Sequence, residues 1–260
     1  MFAGGAAYEQ FMGRWSRRLA PLLVTFAGIA DGDSVLDAGC GTASLSFAIG
    51  DMAPSARLTC IDHSAAYVDR AQASGPDDRM RFVVGDVQAL AFADDTFNKA
   101  LSLLVMNFVP APARALQEMT RVTRPAGVVA AAVWDYGDAM EMLRAFWDEA
   151  VALDPASASR DERNMPLCRP GELEALWRAG GLERVEEQPI EIETPFTSFD
   201  DYWLPFLGGQ GPAGGHVAGL ADSARSALQG RLRTRLSGDR RDRAFTLRAR
   251  AWAVRGLVPR

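Results

Sequence analysis

Lysine is nearly absent from this chain: Lys99 is its single representative, and the other 27 basic residues are arginines. No other side-chain amine is available for Schiff-base chemistry. Histidine is almost as scarce. His63 and His216 alone exclude a multi-histidine metal centre and leave little room for a histidine-based triad. The three cysteines, Cys40, Cys60 and Cys168, form no CxxC or other metal-ligating spacing and read as reduced thiols of a cytoplasmic protein. No apolar run approaches the ~20 residues of a membrane-spanning helix. The first twenty residues lack a long apolar stretch, which predicts no secretory leader. Positive charge is also in deficit. A net charge of −5 and a pI near 5.2 argue against broad nucleic-acid binding, which depends on neutralising phosphates.

What the chain does have is a mixture of 48% hydrophobic and 23% charged residues over 260 positions, enough for one large core. From Tyr8 to Ile29 the apolar residues fall at helical spacing, with a soft break expected at Pro21. Between Ser34 and Trp134, short apolar runs alternate with amphipathic ones: VLDAG then SLSFAIG, LTCID then SAAYVDRAQA, RFVVGD, KALSLLVMNFV then ARALQEMTRVT, and GVVAAAVW. This predicts βα units on a parallel sheet buried on both faces. Beyond it the pattern predicts a helix over 139–153, loop over 156–170 and a short helix from Gly171 to Ala179. A half-exposed strand follows around Ile190 and Ile192. The aromatic and glycine-rich stretch 198–218 precedes an amphipathic helix from Leu220 to Leu236, and a strand from Phe245 to Val254 closes the chain. Arg248 and Arg250 on that strand should face Glu191 and Glu193, making the two strands antiparallel neighbours.

The most informative segment is VLDAGCGTAS, residues 35–44: a strand, a glycine turn and the start of a helix. Gly39 and Gly41 allow a tight turn and a close ligand approach. Asp62, at the end of the next strand, is placed to accept hydrogen bonds from both ribose hydroxyls. A dinucleotide would want a third glycine where this chain has Ser44. It would also meet Asp37, two residues before Gly39, a carboxylate that should repel a pyrophosphate and favour a cationic ligand. Two unit charges ~4 Å apart interact by about 4 kcal/mol at an effective dielectric of 20. On that sign, a sulfonium compound such as S-adenosylmethionine is expected, not NAD. The plainer readings are turn glycines, Asp62 as a helix N-cap and Asp86 as a turn residue.

DAGCGT (37–42), IDHS (61–64), GDVQALAFADDTF (85–97) and EMTRVTRPAGVV (118–129) resemble the class I S-adenosylmethionine-dependent methyltransferases, especially the small-molecule group that includes the ubiquinone and menaquinone C-methyltransferases. The resemblance implies an α/β, Rossmann-like three-layer sandwich: a seven-stranded, mostly parallel sheet with an antiparallel last strand, plus a helical cap. It implies one domain over 1–260, comprising a lead-in helix (1–30), a cofactor-binding core (31–135), cap insertions with the sixth strand (136–243) and a final strand (244–260). It carries the methionyl-binding loop onto Asp37, Gly39, Gly41 and Thr42, the ribose contact onto Asp62 with His63 beside the adenine, and the adenine contacts onto Asp86 and Val87. Leu103, on the fourth strand, joins the same set. The lead-in helix YEQFMGRWS contributes Arg14, with Tyr8 and Met12, toward the cofactor. Two positions depart from the pattern: Ala43 where a glycine is common, and Asn98 where an aspartate is usual. No metal is implied.

Strand four ends MNFVP, without the Asn/Asp-Pro-Pro-aromatic signature of amino-group methyltransferases. The acceptor is therefore expected to be a small, partly apolar molecule methylated on oxygen, carbon or nitrogen. Phe146, Trp147, Tyr202, Trp203 and Phe206 line its pocket or, equally, pack the cap. Asp135 and Tyr136 are the candidate bases; none is assigned. Neither membrane nor nucleic acid is an expected partner. Two alternatives stay open: an RNA methyltransferase using the eleven arginines between Ala221 and Arg260, and a non-catalytic S-adenosylmethionine-binding protein.

Overall fold

The structure, a computed structural model, describes residues 5–75, 77–238 and 243–260. A short helix α1 (Gly5–Tyr8) passes through a π-turn (Glu9–Gly13) into α2 (Arg14–Ala27). There follow β1 (Ser34–Ala38), α3 (Ser44–Met52), β2 (Arg57–Asp62), α4 (Ala65–Ser74), β3 (Met80–Val84), β4 (Phe97–Leu103), α5 (Pro112–Val122) and β5 (Thr123–Trp134). The remainder forms α6 (Glu141–Leu153), α7 (Glu172–Ala179), β6 (Glu183–Phe196), α8 (Phe199–Trp203), α9 (Gly211–Ala218), α10 (Asp222–Ser237) and β7 (Phe245–Leu257). Among the described residues, no helix is long and apolar enough to cross a membrane.

The expected break at Pro21 is absent. α2 runs through it, although a proline there removes one hydrogen bond toward the preceding turn. The neighbouring Leu19, Ala20 and Leu23 are fully buried and hold the helix by packing. The irregularity falls earlier, at the π-turn.

The chain divides into two compact units. One holds Trp15–Trp134, Pro166–Ile190 and Ala251–Arg260; the other holds the described residues up to Arg14, with Asp135–Met165 and Glu191–Arg250. The boundary expected at 243/244 adjoins residues 239–242, which lie outside the described residues.

The seven-stranded sheet has the order β3-β2-β1-β4-β5-β7-β6 and is flanked by helices. Five parallel strands are followed by antiparallel β7, whose Leu257 pairs with Val128 and Ala251 with Trp134. Such strands are apolar over most of their length, and β1 follows this with Val35, Leu36 and Ala38 buried, Asp37 being its one buried polar residue. The chain runs outward from β1 to β2 and β3, then returns to β4 on the other side. This makes the tips of β1 and β4 the topological switch point. In the same unit the Trp177 indole donates to the Val129 carbonyl at 2.9 Å, and Arg255 bonds Glu186 at 2.7 Å. Asn98 plays a structural part, since its Oδ1 accepts from the Ser34 amide at 2.9 Å and so ties β4 to the start of β1.

β6 and β7 are neighbours, as the alternation of charges predicts. Arg250 comes within 4.0 Å of Glu191, while Arg248 turns to Glu141.

The other unit is largely helical and has an aromatic core. Phe146 stacks on Phe206 with centroids 4.7 Å apart, Trp147 meets Phe146 edge-on, and the buried Tyr202 hydroxyl donates to the Met142 carbonyl. These rings, with Trp203, pack that core. Residues 156–170 are not simple loop. Two 3₁₀ turns, Pro155–Arg160 and Glu162–Asn164, are capped by the carboxylates of Asp154 and Asp161. Nor is the glycine-rich stretch irregular, since it forms α9. A Cβ on Gly214 would lie 2.8 Å from the Gly209 backbone, so glycine there is a packing requirement. α10 starts at Asp222, and Leu228 and Leu232 are its only buried leucines. Its arginines are paired and not merely solvated: Arg231 and Arg235 bond Glu149, Arg235 bonds Asp148, and Arg233 bonds Asp200.

Candidate functional site

The turn after β1 is built by backbone conformation. Gly39, Gly41 and Ala43 all have positive φ, at 82°, 53° and 68°. A Cβ on Gly39 would strike the Val105 side chain at 2.6 Å, so the turn and the segment after β4 are in close contact at the switch point. Over Gly41 the opposite holds: nothing lies within 4 Å of the place a Cβ would occupy, so the backbone there faces open space. The glycine common at the Ala43 position is explained by its left-handed backbone, which alanine adopts here at some cost.

The turn folds onto the tip of β2. The Gly39 and Cys40 amides donate to the Ile61 carbonyl at 2.8 and 2.9 Å. The Gly41 amide donates to Asp62 Oδ2 at 2.9 Å, and the Ser64 amide donates to Asp62 Oδ1 at 2.9 Å. Asp62 thus buttresses the loop and caps the start of α4, a duty that the Ser64 side chain does not perform. A carboxylate accepts about four hydrogen bonds, so two acceptor sites remain after these. His63 is exposed, with its Nδ1 3.4 Å from Asp62 Oδ1. The next strand tip is adjacent, because the Gly85 amide donates to the Asp62 carbonyl at 2.9 Å. Beyond it Asp86 is exposed. Hydrogen bonds from the Gln88 amide and side chain hold its carboxyl below the usual range, and it stays ionised. Val87 and Leu103 are buried nearby on the third and fourth tips, and Thr42 is buried in the loop.

Asp37 requires a correction. It is fully buried, so it offers no charge to an open face. Burial pushes its pKa up to about 7, against a hydrogen bond from Ser46 Oγ at 2.5 Å. Its Oδ1 has no partner among the described residues. Asp37 therefore shapes the loop from within; of the three acids Asp86 is exposed, while Asp62 is buried but for 6% of its surface. The thiols of Cys40 and Cys60 sit beside it. Burial raises both far above the ordinary thiol range, so they stay protonated.

The three lead-in residues belong to the helical unit. Tyr8 is half-buried and Met12 buried. Arg14 is engaged there: its Nη1 donates to Asp201 Oδ1 at 2.7 Å and its guanidinium lies 4.8 Å from the Phe196 ring centre. Sequence reasoning missed Asp201 as its partner, because the two are 187 positions apart. Of the candidate bases, Asp135 has both oxygens in use, accepting from the Asp138 amide and from Arg250 Nε at 3.0 Å each. Tyr136 is buried. Among the described residues no cluster of His, Cys, Asp and Glu could hold a metal ion.

A parallel sheet of this order, with a glycine turn at the switch point and acids on the second and third tips, is the arrangement that the resemblance to class I S-adenosylmethionine-dependent methyltransferases implies. Known proteins agree. Residues 36–131 match the family described as a methyltransferase domain. The ubiquinone/menaquinone biosynthesis C-methyltransferase of Paracoccus denitrificans is 39% identical over 102 residues, 37% of this chain and 40% of that protein. The malonyl-[acyl-carrier protein] O-methyltransferase of Geobacter sulfurreducens is 28% identical over 201 residues, covering 75% of this chain and 74% of that one. Phosphoethanolamine N-methyltransferase 2 of Haemonchus contortus, solved with S-adenosylhomocysteine, shares the fold at a TM-score of 0.61 and 15% identity, covering 98% of this chain and 57% of that chain. The chain spans about half the length of several curated relatives it matches.

Proposed function

We propose that this chain transfers a methyl group from S-adenosylmethionine to a small, partly apolar acceptor, on oxygen, carbon or nitrogen. The observation that carries this reading is the Gly41 amide bonded to Asp62, which holds an open glycine backbone beside an acid with acceptor capacity to spare. The residues present fit the cofactor. Gly39, Gly41 and Thr42 would hold its methionyl part, Asp62 its ribose hydroxyls, and Asp86, Val87 and His63 its adenine, with Leu103 at the fourth tip.

When bound, the cofactor supplies an activated methyl group on a sulfonium. The protein's own part is then orientation and exclusion of water. The loop is pre-set for this by its contact with Val105 and by the hydrogen bonds onto Ile61 and Asp62. Asp135 is buried, ion-paired with Arg250 and bonded by the Asp138 amide, so it is a braced carboxylate and not a free base.

The RNA reading loses support because the arginines of α10 are matched to acids of their own unit, which leaves fewer of them to displace counterions from phosphate. Arg240 and Arg241, which it would also use, lie outside the described residues.

Calorimetric titration with S-adenosylmethionine tests the proposal. Saturable binding is expected, abolished in Gly39→Val and in Asp62→Ala while circular dichroism shows both variants folded. Incubation with methyl-labelled cofactor and a metabolite extract should then yield a labelled small molecule. Binding without any labelled product would favour the non-catalytic alternative.

A further inference from the structure

The helical unit holds a cavity that the methyl-transfer reading does not use. It has two lobes sharing Asp154, Ser157, His216 and Leu220. The inner lobe, about 150 Å³, is apolar and partly open, walled by buried Ala150 and Leu228 and by exposed Leu153, Ala224 and Ala227. The outer lobe, about 370 Å³, is polar and adds Ser159, Arg160 and Gly219.

Two side chains that line both lobes are more than nine-tenths buried and have a polar atom without a partner among the described residues: Nδ1 of His216 and Oγ of Ser157. A buried polar atom left unmet is costly, and such atoms are normally satisfied by something. The His216 ring is held in place by Trp147 and Phe146, at centroid distances of 5.4 and 6.1 Å, so this is a built surface. Burial, reinforced by Arg160, pushes the His216 pKa down, which leaves the imidazole neutral at neutral pH.

The chemistry of the floor selects a ligand. It offers one hydroxyl and one neutral imidazole, a donor and an acceptor. The charged residues lining the outer lobe, Arg160 and Asp154, oppose each other. A carboxylate held in the inner lobe would be desolvated away from Arg160, which lines the outer lobe alone. An apolar cavity of about 150 Å³ accommodates a benzene ring.

We propose that this cavity binds a small uncharged amphiphile bearing one hydroxyl, of the phenol class, whose hydroxyl donates to His216 Nδ1 and accepts from Ser157 Oγ while its ring fills the inner lobe. The site rests on no part of the methyl-transfer reading.

With only two histidines, imidazole resonances give a direct test. Phenol is titrated into the full chain and both rings are followed by NMR, with His63→Asn assigning the signals. A saturable shift of His216, with His63 unmoved, is expected. Ser157→Ala should weaken binding by about fivefold, the loss of one hydrogen bond. Ala227→Phe, which fills the inner lobe from an exposed helix position, should abolish it, and benzoate at neutral pH should not bind. No saturable shift up to the solubility of phenol would overturn the proposal. So would binding that is indifferent to both substitutions in folded protein, and so would equal binding of benzoate.

Discussion

At the scale of single residues, conformation and burial decide more than residue type does. Ala43 occupies left-handed backbone at φ 68°. That conformation costs a non-glycine residue about 1–2 kcal/mol, and glycine's extra freedom in the unfolded chain offsets part of the gain. Ala43→Gly is therefore expected to stabilise the protein by up to ~1 kcal/mol, read as a higher urea midpoint at unchanged slope. Asp37 makes a pH prediction. Its carboxyl, ordinarily near 3.8, is raised to about 7 by burial. Between those values the folded chain holds a proton that the unfolded chain has released, so this contribution to stability is complete below pH ~4 and is lost as the pH climbs through ~7. Buried Glu162, hydrogen-bonded by the Trp147 indole and likewise raised to about 7, acts in the same sense. Unfolding free energy measured from pH 4 to 8 should fall, with a shallower slope in Asp37→Asn. The spacing of Asp37, Gly39, Gly41, Asp62 and Asp86 was legible because a strand, a turn and two strand tips fix those positions along the chain. The depth of Asp37 was not legible. It depends on how far the loop folds back onto Ile61, which no local pattern encodes.

At the scale of elements, the parallel strands were readable because burial on both faces demands unbroken apolar runs. The meeting of β6 and β7 was readable because Glu191 and Arg250 sit at alternating positions. The turns at 155–164 were not, since they depend on Asp154 and Asp161 bonding backbone two residues on, and an aspartate in a polar stretch gives no such notice. α9 was hidden by its glycines, which ordinarily disfavour helix. Arg250 offers an element-level test. It bonds Asp135 and Asp138, and Asp135 is buried. Removing a partly exposed arginine from a buried carboxylate should cost about 1–3 kcal/mol, with part recovered in the Arg250→Ala, Asp135→Asn double variant, measured by chemical denaturation.

For the molecule as a whole, charge gives the clearest expectation. A chain of net charge −5, with Arg231, Arg233 and Arg235 each facing an acid, should show little affinity for RNA even at low salt. Fluorescence anisotropy with a labelled transcript, at low and at physiological ionic strength, measures this; tight binding with a steep salt dependence would revive the RNA reading.

Lys99 sits on β4 with its ammonium bonded to the Gly28 carbonyl and 3.1 Å from Asp33. Because the chain has no second lysine, this strand carries a built-in clock. Acylating reagents can reach that nitrogen fully only when the sheet unit loosens, and the speed of its modification, followed by mass spectrometry, reports how often it does so.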